Sequence, residues 1–387
     1  MISLEWVKDY IDISDQDLEE LAVKITQSGI NVEKVITNHI NNLVIGEVLE
    51  CVAHPDSDHL HVCKVNVGNT TEQIVCGAPN VREGLKVIVA LPGAVLPGDF
   101  EIKKSKIRGV ESNGMLCALY ELGLEEKNDE TYAKGIEELG TDASVGEDPL
   151  KYLGLDDTLY ELDIHKHRNN DCYYHIGFAY EIGAILNRPV TLPDLSFKED
   201  QNNVENYFTL DVETEKCPFY LAKMVKNAKI GESPEFIKKR LLAAGMRPIN
   251  NVVDISNYVM LEFGQPLHFF DKNRLGNHIL VRDAKDKEEV ITLDGKRRIL
   301  SSNDIVITDG NRPVCIAGVM GGENTEVEQD TTDILIEAAI FDPVSIRYTA
   351  ANLDLRSEAS IRYGKGLSYE YTAVSYTHLT LPTNSLV

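Results

Sequence analysis

Residues 43–96 read LVIGEVLECVAHPDSDHLHVCKVNVGNTTEQIVCGAPNVREGLKVIVALPGAVL, and this stretch decides how the chain is divided. Four of its runs are short and rich in Val, Ile and Leu, which is typical of β-strands. The segments between them, such as HPDSD, GNT and APN, hold the Pro, Gly, Asn and Asp residues that form turns. Because helical periods are few, the pattern predicts a compact β-barrel of about five strands over residues 39–150.

Mixed helix and strand patterns lie on both sides of this barrel. Residues 1–38 contain a helix pattern with Ser14 as the expected cap and Gly29 as the expected terminator. Residues 151–200 contain a strand pattern, a turn and a second helix pattern. Since each segment is short for a domain, we expect them to form one small α/β domain into which the barrel is inserted. The expected barrel is an OB-fold, a common nucleic-acid-binding form of such barrels.

The rest of the chain alternates strand-like and helix-like runs. Residues 201–367 are therefore predicted to form a sizeable α+β domain, and the whole chain to be an α+β protein of several domains. Residues 375–387, SYTHLTLPTNSLV, continue neither pattern. We interpret this last stretch as a non-native tail that takes no part in the fold.

Composition places the chain among ordinary globular proteins, with 43% hydrophobic and 26% charged residues among 387. No run approaches the roughly 18 apolar residues of a membrane helix, and the N-terminus lacks the pattern of a signal peptide. We therefore expect a cytoplasmic protein with no membrane partner. The seven cysteines form no CxxC pair, so reduced thiols are expected rather than structural zinc or a disulfide framework.

Acidic residues outnumber basic ones by 62 to 38, which gives a formal charge of −24 and argues against nucleic-acid binding by the surface as a whole. A local basic stretch, FEIKKSKIRGV, lies within the barrel and holds Lys103, Lys104, Lys106 and Arg108. In a β-strand Lys104, Lys106 and Arg108 would point to one face. Such a stripe suits phosphate binding, but lysines also protect the exposed edge of a sheet, and the stretch alone leaves both readings open.

A second polar stretch, HPDSDHLH, offers imidazole and carboxylate groups that suit zinc or manganese. They come from His54, Asp56, Asp58, His59 and His61. However, HPDSD is also ordinary turn chemistry, because Pro fixes φ while Asp and Ser bond locally. Metal ligands usually come from fixed faces of rigid elements, so we predict a turn here and no metal site.

Four groups of residues in the last domain could together form a site. They are, in chain order, His268 in NVVDISNYVMLEFGQPLHFFD, Gly321 and Gly322 in AGVMGGENTEV, Glu337 in ILIEAAIF and Ser357 in LRSEAS. Simpler readings exist, since a lone His is commonly bonded within a core and Glu337 could face water from an edge strand. Together they offer imidazole, backbone amides, carboxylate and hydroxyl, enough to hold a polar ligand and position a water. The chain has no G-x-S-x-G, HExxH or P-loop motif.

Taken in order, these motifs resemble the N-terminal part of the β subunit of bacterial phenylalanyl-tRNA synthetases. In the first half of the chain the resemblance rests on MISLEWVKDYID, HPDSDHLHVCKVNVG, GAPNV, ESNGMLC and NNDCYYHIGFAYEI. In the second half it rests on MRPINNVVDISNYVMLEFGQPLHFFD, GVMGGENTEV, ILIEAAIFDP and LRSEASIRYGKG. It covers residues 1–367.

The resemblance implies an OB-fold tRNA-binding domain at residues 39–150 and an editing domain of the B3/B4 type at residues 201–367. In this family the editing site hydrolyses tyrosine wrongly attached to phenylalanine tRNA. By motif, the resemblance implies catalytic roles for His268, Glu337 and Ser357, substrate-binding roles for Asn250, Gly321, Gly322 and Ala359, and tRNA-binding roles for Lys103, Lys104, Lys106 and Arg108. Two positions depart from the family, which has threonine for Ser357 and aspartate for Glu358.

The roles implied at the pocket are specific. Glu337 would recognise the phenol of the misattached tyrosine. His268 would line the pocket and orient either the terminal adenosine of the tRNA or the attacking water. No covalent nucleophile is implied.

The resemblance also implies a larger assembly. The family's β subunit continues beyond this length and pairs with an α subunit in an α2β2 heterotetramer that binds tRNA(Phe). Aminoacylation belongs to the α subunit, so ATP and Mg²⁺ are implied for the complete enzyme and no cofactor for this fragment. Two alternatives stay open: a non-catalytic tRNA-binding or structural subunit with an inactive editing pocket, and a stand-alone OB-fold tRNA chaperone.

Overall fold

The structure is a computed structural model, and it describes residues 1–125, 127–165, 168–193 and 202–378. The chain divides into two compact units. The inserted unit comprises residues 37–157, and the main unit comprises residues 1–36 together with the chain from residue 158 onward. Of the stretch predicted as a non-native tail, residues 379–387 lie outside the described residues, and residues 375–378 end a helix.

The N-terminal segment forms two strands and two helices: β1 (Ile2–Ser3), α1 (Leu4–Val7), α2 (Leu18–Ser28) and β2 (Asn31–Thr37). The cap of α2 is Asp17 and not Ser14 as expected. Asp17 Oδ1 accepts hydrogen bonds from the backbone N–H groups of Glu19 and Glu20, which lie in the first helical turn. Gly29 ends the helix in a left-handed conformation with φ of 112°, as predicted.

The inserted unit is built mainly from strands. Its elements are β3 (Leu43–Ala53), β4 (His61–Asn66), β5 (Thr71–Cys76), β6 (Lys86–Ala90), β7 (Val95–Leu96), β8 (Phe100–Glu101), β9 (Ser105–Ile107), β10 (Val110–Ser112), β11 (Met115–Cys117), α3 (Asp129–Lys134), β12 (Glu138–Leu139) and α4 (Pro149–Leu153). The largest sheet has the antiparallel order β11-β6-β3-β4-β5, with β12 added to β6. Fully buried side chains such as Val48, Val65 and Val89 form its core. The predicted β-rich character is confirmed.

Beyond the inserted unit, the main unit resumes with β13 (Thr158–Asp163), α5 (Asn169–Cys172) and α6 (His175–Leu186). Strand β13 pairs with β1, where Tyr160 lies opposite Ile2, and the two belong to a sheet of order β1-β13-β2. The segments before and after the inserted unit therefore share one sheet.

The remaining elements of the main unit alternate strands and helices, which confirms the α+β prediction. They are β14 (Thr209–Val212), β15 (Phe219–Val225), α7 (Glu235–Ala243), α8 (Asn251–Phe263), β16 (His268–Asp271), α9 (Lys272–Leu275), β17 (His278–Asp283), β18 (Glu289–Ile291), β19 (Arg297–Ile299), β20 (Ile305–Thr308), β21 (Pro313–Ile316), β22 (Met320–Gly321), β23 (Ile334–Ile340), α10 (Pro343–Asn352), α11 (Glu358–Tyr363) and α12 (Tyr369–His378). Among the described residues, no helix is both long and apolar enough to cross a membrane.

A three-stranded sheet of order β15-β23-β16 lies between two hydrophobic cores. Successive side chains of its central strand, β23, alternate between the two faces. Ile336 and Ala338 join the core that contains α6 and α8, whereas Leu335 and Ala339 join the core of the five-stranded sheet β14-β17-β20-β21-β22. Glu337 lies between Leu335 and Ala339 in this alternation, so its carboxyl points towards the second core.

Candidate active site

Glu337 stands at the centre of β23, a strand with a neighbour on each side. In the antiparallel register, Glu337 lies opposite Ala222 of β15 and opposite His268 of β16. Directly opposed residues share one face of a sheet, so the carboxyl and the imidazole lie side by side. The alternative in which Glu337 faces water from an edge strand is therefore wrong.

The carboxyl of Glu337 is nearly enclosed. The residue is 3% exposed, and its Oε2 accepts a hydrogen bond of 3.2 Å from the Tyr220 hydroxyl. Burial raises the pKa of Glu337 to about 8, and the bond from Tyr220 opposes that rise. At pH 7 the carboxyl is therefore mostly protonated, so it can both donate and accept a hydrogen bond. In the described part of the chain no donor reaches Oε1, which leaves that atom to a ligand.

The imidazole of His268 is partly buried and has no hydrogen-bond partner among the described residues. Its ring packs edge-on against Phe270, with centroids 4.4 Å apart and an interplanar angle of 87°. Burial lowers the pKa of His268 to about 4, so the imidazole is neutral at pH 7. No hydrogen bond joins either ring nitrogen to another described residue. The reading of a core histidine with its bonds satisfied is therefore wrong, and the ring is available to a ligand or a water.

Gly321 provides the space beside this ring. A Cβ atom at Gly321 would lie 2.3 Å from Cε1 and 2.8 Å from Nε2 of His268. The backbone groups of the turn are already bonded, because the Gly321 carbonyl accepts from Leu293 N at 3.0 Å and Gly322 N donates to Val314 O at 2.8 Å. Gly321 thus admits the imidazole closely, and the Gly322 N–H is not open to a ligand.

We expect Gly321→Ala to displace the imidazole and to lower any hydrolysis that depends on it by about tenfold or more, since small displacements of a positioned group are costly. The added methyl also overpacks the site, which should lower the free energy of unfolding by about 1–3 kcal/mol. Hydrolysis assays and urea unfolding measure the two effects. Gly231→Ala is the matched control, because a Cβ at Gly231 meets nothing within 4 Å. If folded Gly321→Ala keeps full activity, His268 takes no part in the hydrolysis.

The hydroxyl of Ser357 is hydrogen-bonded to two backbone groups. It caps α11: its Oγ accepts from Ser360 N at 3.0 Å and donates to Val319 O at 2.7 Å. Val319 immediately precedes β22, so this hydroxyl ties the start of α11 to the turn that carries Gly321. With the hydroxyl engaged in both directions, the structure supports positioning rather than chemistry. Ala359, in the first turn of α11, packs against the second core.

Asn250 lies at the start of α8. Its Oδ1 accepts hydrogen bonds from Val252 N and Val253 N, and its side chain lines a surface depression with Glu328 and Asp330. None of these bonds leads to His268 or Glu337, so the structure does not bring Asn250 into the pair.

Two side chains that sequence reasoning missed hold this site together. Tyr220 donates to Glu337, as described above. Gln265 is buried before β16, where its amide donates to Ala339 O at 3.1 Å and Tyr363 Oη at 3.2 Å and accepts from Thr372 Oγ1 at 2.6 Å. Each lies in an apolar run, and only the pairing of strands distant in sequence shows its partner.

The basic stretch of the inserted unit differs from the predicted stripe. Only Lys106 of the predicted face lies in a strand, because β9 spans Ser105–Ile107 and Arg108 sits in the turn to β10 with φ of 46°. Arg108 Nη1 donates to Asp56 O at 2.8 Å. The prediction that Lys104, Lys106 and Arg108 share one strand face is therefore wrong, because the hairpin turns at Arg108.

Exposed lysines nevertheless cluster here. Lys103 pairs with Glu101 at 2.8 Å and Lys106 with Glu111 at 3.8 Å, both on the surface. Surface pairs of this kind contribute little stability, so they hold the two lysines only weakly. The stretch thus stays a candidate for tRNA contact.

The HPDSD turn supports that hairpin. His54 Nδ1 accepts from Asp56 N at 3.0 Å, and its Nε2 lies 3.1 Å from Ile107 O. Both ring nitrogens of His54 are thus used within the inserted unit. A different group, His39, Asp148 and Asp156, brings possible metal-ligand atoms within 4.8 Å of one another, but Asp148 caps α4 and the group lies towards solvent. We assign no metal to either.

The buried carboxyl makes stability depend on pH. The pKa of Glu337 is raised from its ordinary 4.5 to about 8, so the folded protein binds the proton more tightly than the unfolded chain. The stability that protonated Glu337 contributes is therefore fully present below pH 4.5 and is lost as the pH rises towards 8. Relative to Glu337→Gln, the free energy of unfolding should fall by about 4 kcal/mol between pH 5 and pH 8. Urea titrations at both pH values test this, and equal pH dependence in the two proteins would contradict it.

Comparisons with known proteins match the inserted unit and the main unit to two different domain families. The tRNA binding domain family matches residues 43–142, and the B3/4 domain family matches residues 216–381. The two matches define the class of this chain: a protein with a tRNA-binding module followed by a B3/4 domain.

Whole-chain relatives identify the family. Phenylalanine–tRNA ligase β subunits are 49% identical in Geobacillus kaustophilus, over 95% of this chain and 46% of the relative, and 48% identical in Desulfotalea psychrophila, over 94% and 44%. In Bacillus cereus the identity is 47%, over 97% of this chain and 47% of the relative. The chain belongs to the phenylalanine–tRNA ligase β-subunit family and spans about half the length of the curated relatives it matches. The resemblance inferred from the motifs is thereby confirmed.

Solved structures give a weaker likeness. An N-terminal fragment of the phenylalanyl-tRNA synthetase β subunit from Pyrococcus horikoshii is 14% identical, covering 55% of this chain and 63% of that one, with a TM-score of 0.29. A MetRS-related protein from the same organism is 22% identical, covering 27% and 84%, with a TM-score of 0.20.

Proposed function

We propose that this chain is the tRNA-binding and editing part of a phenylalanine–tRNA ligase β subunit, and that it hydrolyses tyrosine misattached to tRNA(Phe). One observation carries the proposal: a buried, protonatable carboxyl, Glu337, lies beside the uncommitted imidazole of His268. The pair lies on the face of the sheet that packs against the apolar second core, which suits an aromatic substrate.

Selection of tyrosine follows from this arrangement. A synthetic pocket shaped for phenylalanine rejects an isostere with one added hydroxyl by only about a hundredfold. A second site can use that hydroxyl. The phenol of tyrosine would bond to Oε1 of Glu337, whereas phenylalanine would leave the buried carboxyl without that partner. Tyr220 keeps Oε2 engaged and so directs the other oxygen towards the substrate.

Hydrolysis needs a positioned water and no covalent enzyme intermediate. The neutral imidazole of His268 is able to accept a proton from water, whose oxygen then attacks the ester carbonyl carbon. The bond from that carbon to the ribose oxygen breaks, and the ribose oxygen takes up a proton. Ser357 is a poor nucleophile here, because its hydroxyl already donates to Val319 O.

We infer that the inserted unit closes as an OB-fold and contacts tRNA through its basic stretch, Lys103, Lys104, Lys106 and Arg108. Its antiparallel sheet and the match to the tRNA binding domain family support this. Positive side chains at one local stretch are able to bind phosphate although the whole chain is acidic.

Replacing Lys104 and Lys106 with alanine together should weaken tRNA(Phe) binding about tenfold. Each lost phosphate contact should also lower the slope of log affinity against log salt by about one. Filter binding between 50 and 200 mM KCl measures both. Lys151→Ala, another exposed lysine of the inserted unit, is the control. An unchanged salt slope would show that tRNA contacts another part of the chain.

The complete enzyme extends beyond this chain. We propose an α subunit partner in an α2β2 assembly, with ATP and Mg²⁺ used by the aminoacylating part and none held by this fragment. A ligase of tRNA works where translation occurs, so we place it in the cytoplasm.

Hydrolysis of Tyr-tRNA(Phe) by this chain, with Phe-tRNA(Phe) as control, tests the proposal. Selective loss of the tyrosyl ester supports an editing site that works within these residues. If neither ester is hydrolysed by the folded chain or by the full assembly with its α subunit, the editing function is rejected. The non-catalytic tRNA-binding subunit is then the surviving reading.

A further inference from the structure

Two cysteines of the inserted unit face each other across neighbouring strands. Cys51 of β3 lies directly opposite Cys63 of β4 in the antiparallel register, so both side chains leave the same face of the sheet. Their sulfur atoms lie 3.8 Å apart. Directly opposed residues of an antiparallel pair have Cα atoms about 4.5–5.5 Å apart, which falls within the range of about 4.4–6.8 Å found in disulfides. Joining the two sulfurs therefore needs side-chain rotation and no large movement of the strands.

The two thiols differ in exposure. Of the seven cysteines, all of which lie in the described parts of the chain, Cys51 alone is partly exposed, and the other six are buried. Cys63 is 0% exposed, and burial raises the pKa of its thiol, which the neighbouring Cys51 raises further. An oxidant in solution thus reaches Cys51 first and finds Cys63 directly behind it. A reacting cysteine and its resolving cysteine are arranged in this way.

A third thiol lies on the same face of the sheet. Cys76 of β5 is two residues beyond Ile74, which lies opposite Cys63, so successive alternation places its side chain on that face. However, the sulfur of Cys76 accepts a hydrogen bond of 3.4 Å from the Ala78 amide. The sulfur of Cys63 instead contacts that of Cys51. Cys63, and not Cys76, is therefore the partner that the geometry offers to Cys51.

The cysteine pair spans the segment that carries the HPDSD turn. Within this segment, residues 52–62, His54 Nε2 lies 3.1 Å from Ile107 O, and Asp56 O accepts a bond of 2.8 Å from Arg108 Nη1. These bonds hold the turn against the basic hairpin β9-β10. A covalent link between the strands closes a short loop around the turn and restricts its opening. The oxidation state of the two cysteines is thereby coupled to the support of the hairpin.

We propose that Cys51 is a site of reversible oxidation, and that it forms a disulfide with Cys63 when a peroxide reaches the inserted unit. The link fastens the HPDSD turn beneath the basic hairpin. Disulfides of proteins in reducing compartments are commonly transient and redox-sensing, as this one would be. The proposal does not depend on the editing function, because both cysteines and the turn belong to the inserted unit.

The reaction is balanced in two steps. Peroxide converts the Cys51 thiol into a sulfenic acid and releases one water. The sulfur of Cys63 then attacks the sulfur of Cys51, and the hydroxyl leaves with the Cys63 proton as a second water. Two thiols thus lose two electrons while one peroxide is reduced to two waters, and a dithiol reductant reverses the link by exchange. The raised pKa of Cys63 slows its attack, whereas holding the sulfurs in contact raises their effective concentration.

Mass spectrometry of the wild-type chain tests the link without any substitution. Trypsin cleaves after Lys34, Lys64 and Arg82, so peptide 35–64 contains Cys51 and Cys63 and no other cysteine, and Cys76 falls in peptide 65–82. The folded chain is treated with hydrogen peroxide under conditions that oxidise free cysteine, then unfolded and alkylated. Peptide 35–64 should be two hydrogens lighter and carry no alkyl group, and dithiothreitol should restore two alkylatable thiols. A fully alkylated peptide 35–64, or its linkage to peptide 65–82, would overturn the proposal.

Two variants separate the roles of the cysteines. In Cys63→Ser the resolving thiol is missing, so Cys51 should stop at the sulfenic acid, which dimedone traps. Cys76→Ser, which removes the other thiol of the same face, should form the link as fully as the wild type. Absence of a dimedone adduct in folded Cys63→Ser, or loss of the link in folded Cys76→Ser, would contradict the assignment.

Hydrogen exchange of the wild-type chain measures the restraint on the turn. The amide of Asp56 donates to His54 Nδ1 at 3.0 Å, so its exchange reports opening of the HPDSD turn. After oxidation this amide should exchange several-fold more slowly, and dithiothreitol should return it to the original rate. Equal exchange in the oxidised and reduced chains would show that the disulfide does not fasten the turn.

Discussion

Replacing Glu337 with alanine is expected to lower kcat/KM for hydrolysis of Tyr-tRNA(Phe) about a hundredfold. Removing the carboxyl would leave the buried phenol of the substrate without a hydrogen-bond partner, which costs about 1–3 kcal/mol. Hydrolysis of Phe-tRNA(Phe), which makes no such bond, should change little, so the preference for tyrosine should collapse. Steady-state deacylation of the two esters measures the ratio.

Glu337→Gln is the informative control for that experiment. The amide keeps the shape and a donor and acceptor pair, so most of the preference should persist and should no longer vary with pH around 8, where Glu337 itself titrates. If Glu337→Ala folds and still prefers the tyrosyl ester as strongly as the wild type does, Glu337 does not read the phenol.

His268→Ala should lower kcat by about a hundredfold on both esters, since a positioned base contributes about two orders of magnitude or more. The loss should be nearly independent of pH between 5.5 and 8, because burial holds the pKa of His268 at about 4 and the ring is neutral throughout. Single-turnover deacylation over this pH range is the measurement.

A second histidine of the main unit provides the control. His278 is partly exposed and lies 3.0 Å from the Asp211 carboxylate, so His278→Ala removes an imidazole without reaching Glu337. It should leave deacylation unchanged. A comparable loss in both variants would show that destabilisation, not chemistry, explains the effect at His268.

Local patterns predicted several features of the fold. The apolar runs between HPDSD, GNT and APN predicted a β-rich inserted region, and Gly29 ends α2 in the left-handed conformation expected of a terminator. The cap of α2 was misplaced by three residues. Ser14 and Asp17 are equally suitable in type, and only the start of the packed helical face decides between them.

The site was harder to predict than the fold. Glu337 and His268 stand out because each is polar within an apolar run, yet their contact depends on the register between β23 and β16. Tyr220 gave no signal, since tyrosine is ordinary in a strand and its bond to Glu337 arises from pairing over more than a hundred residues of sequence. Long-range pairing is what a local pattern cannot encode.

In the basic stretch the local pattern gave a clear prediction that was wrong. Alternation predicted one charged face for Lys104, Lys106 and Arg108, but Arg108 has a positive φ at the hairpin turn and bonds to Asp56 O. A turn within a run of alternating residues breaks the period of two on which the prediction depended.

The most direct test of tyrosine recognition by Glu337 is calorimetric binding of two non-hydrolysable analogues, adenosine carrying tyrosine or phenylalanine through a 3′-amide. We expect the tyrosyl analogue to bind at least tenfold more tightly and Glu337→Ala to remove the difference, because the proposed partner of the phenol is Oε1 of Glu337. Equal affinity of the wild-type chain for the two analogues would contradict it.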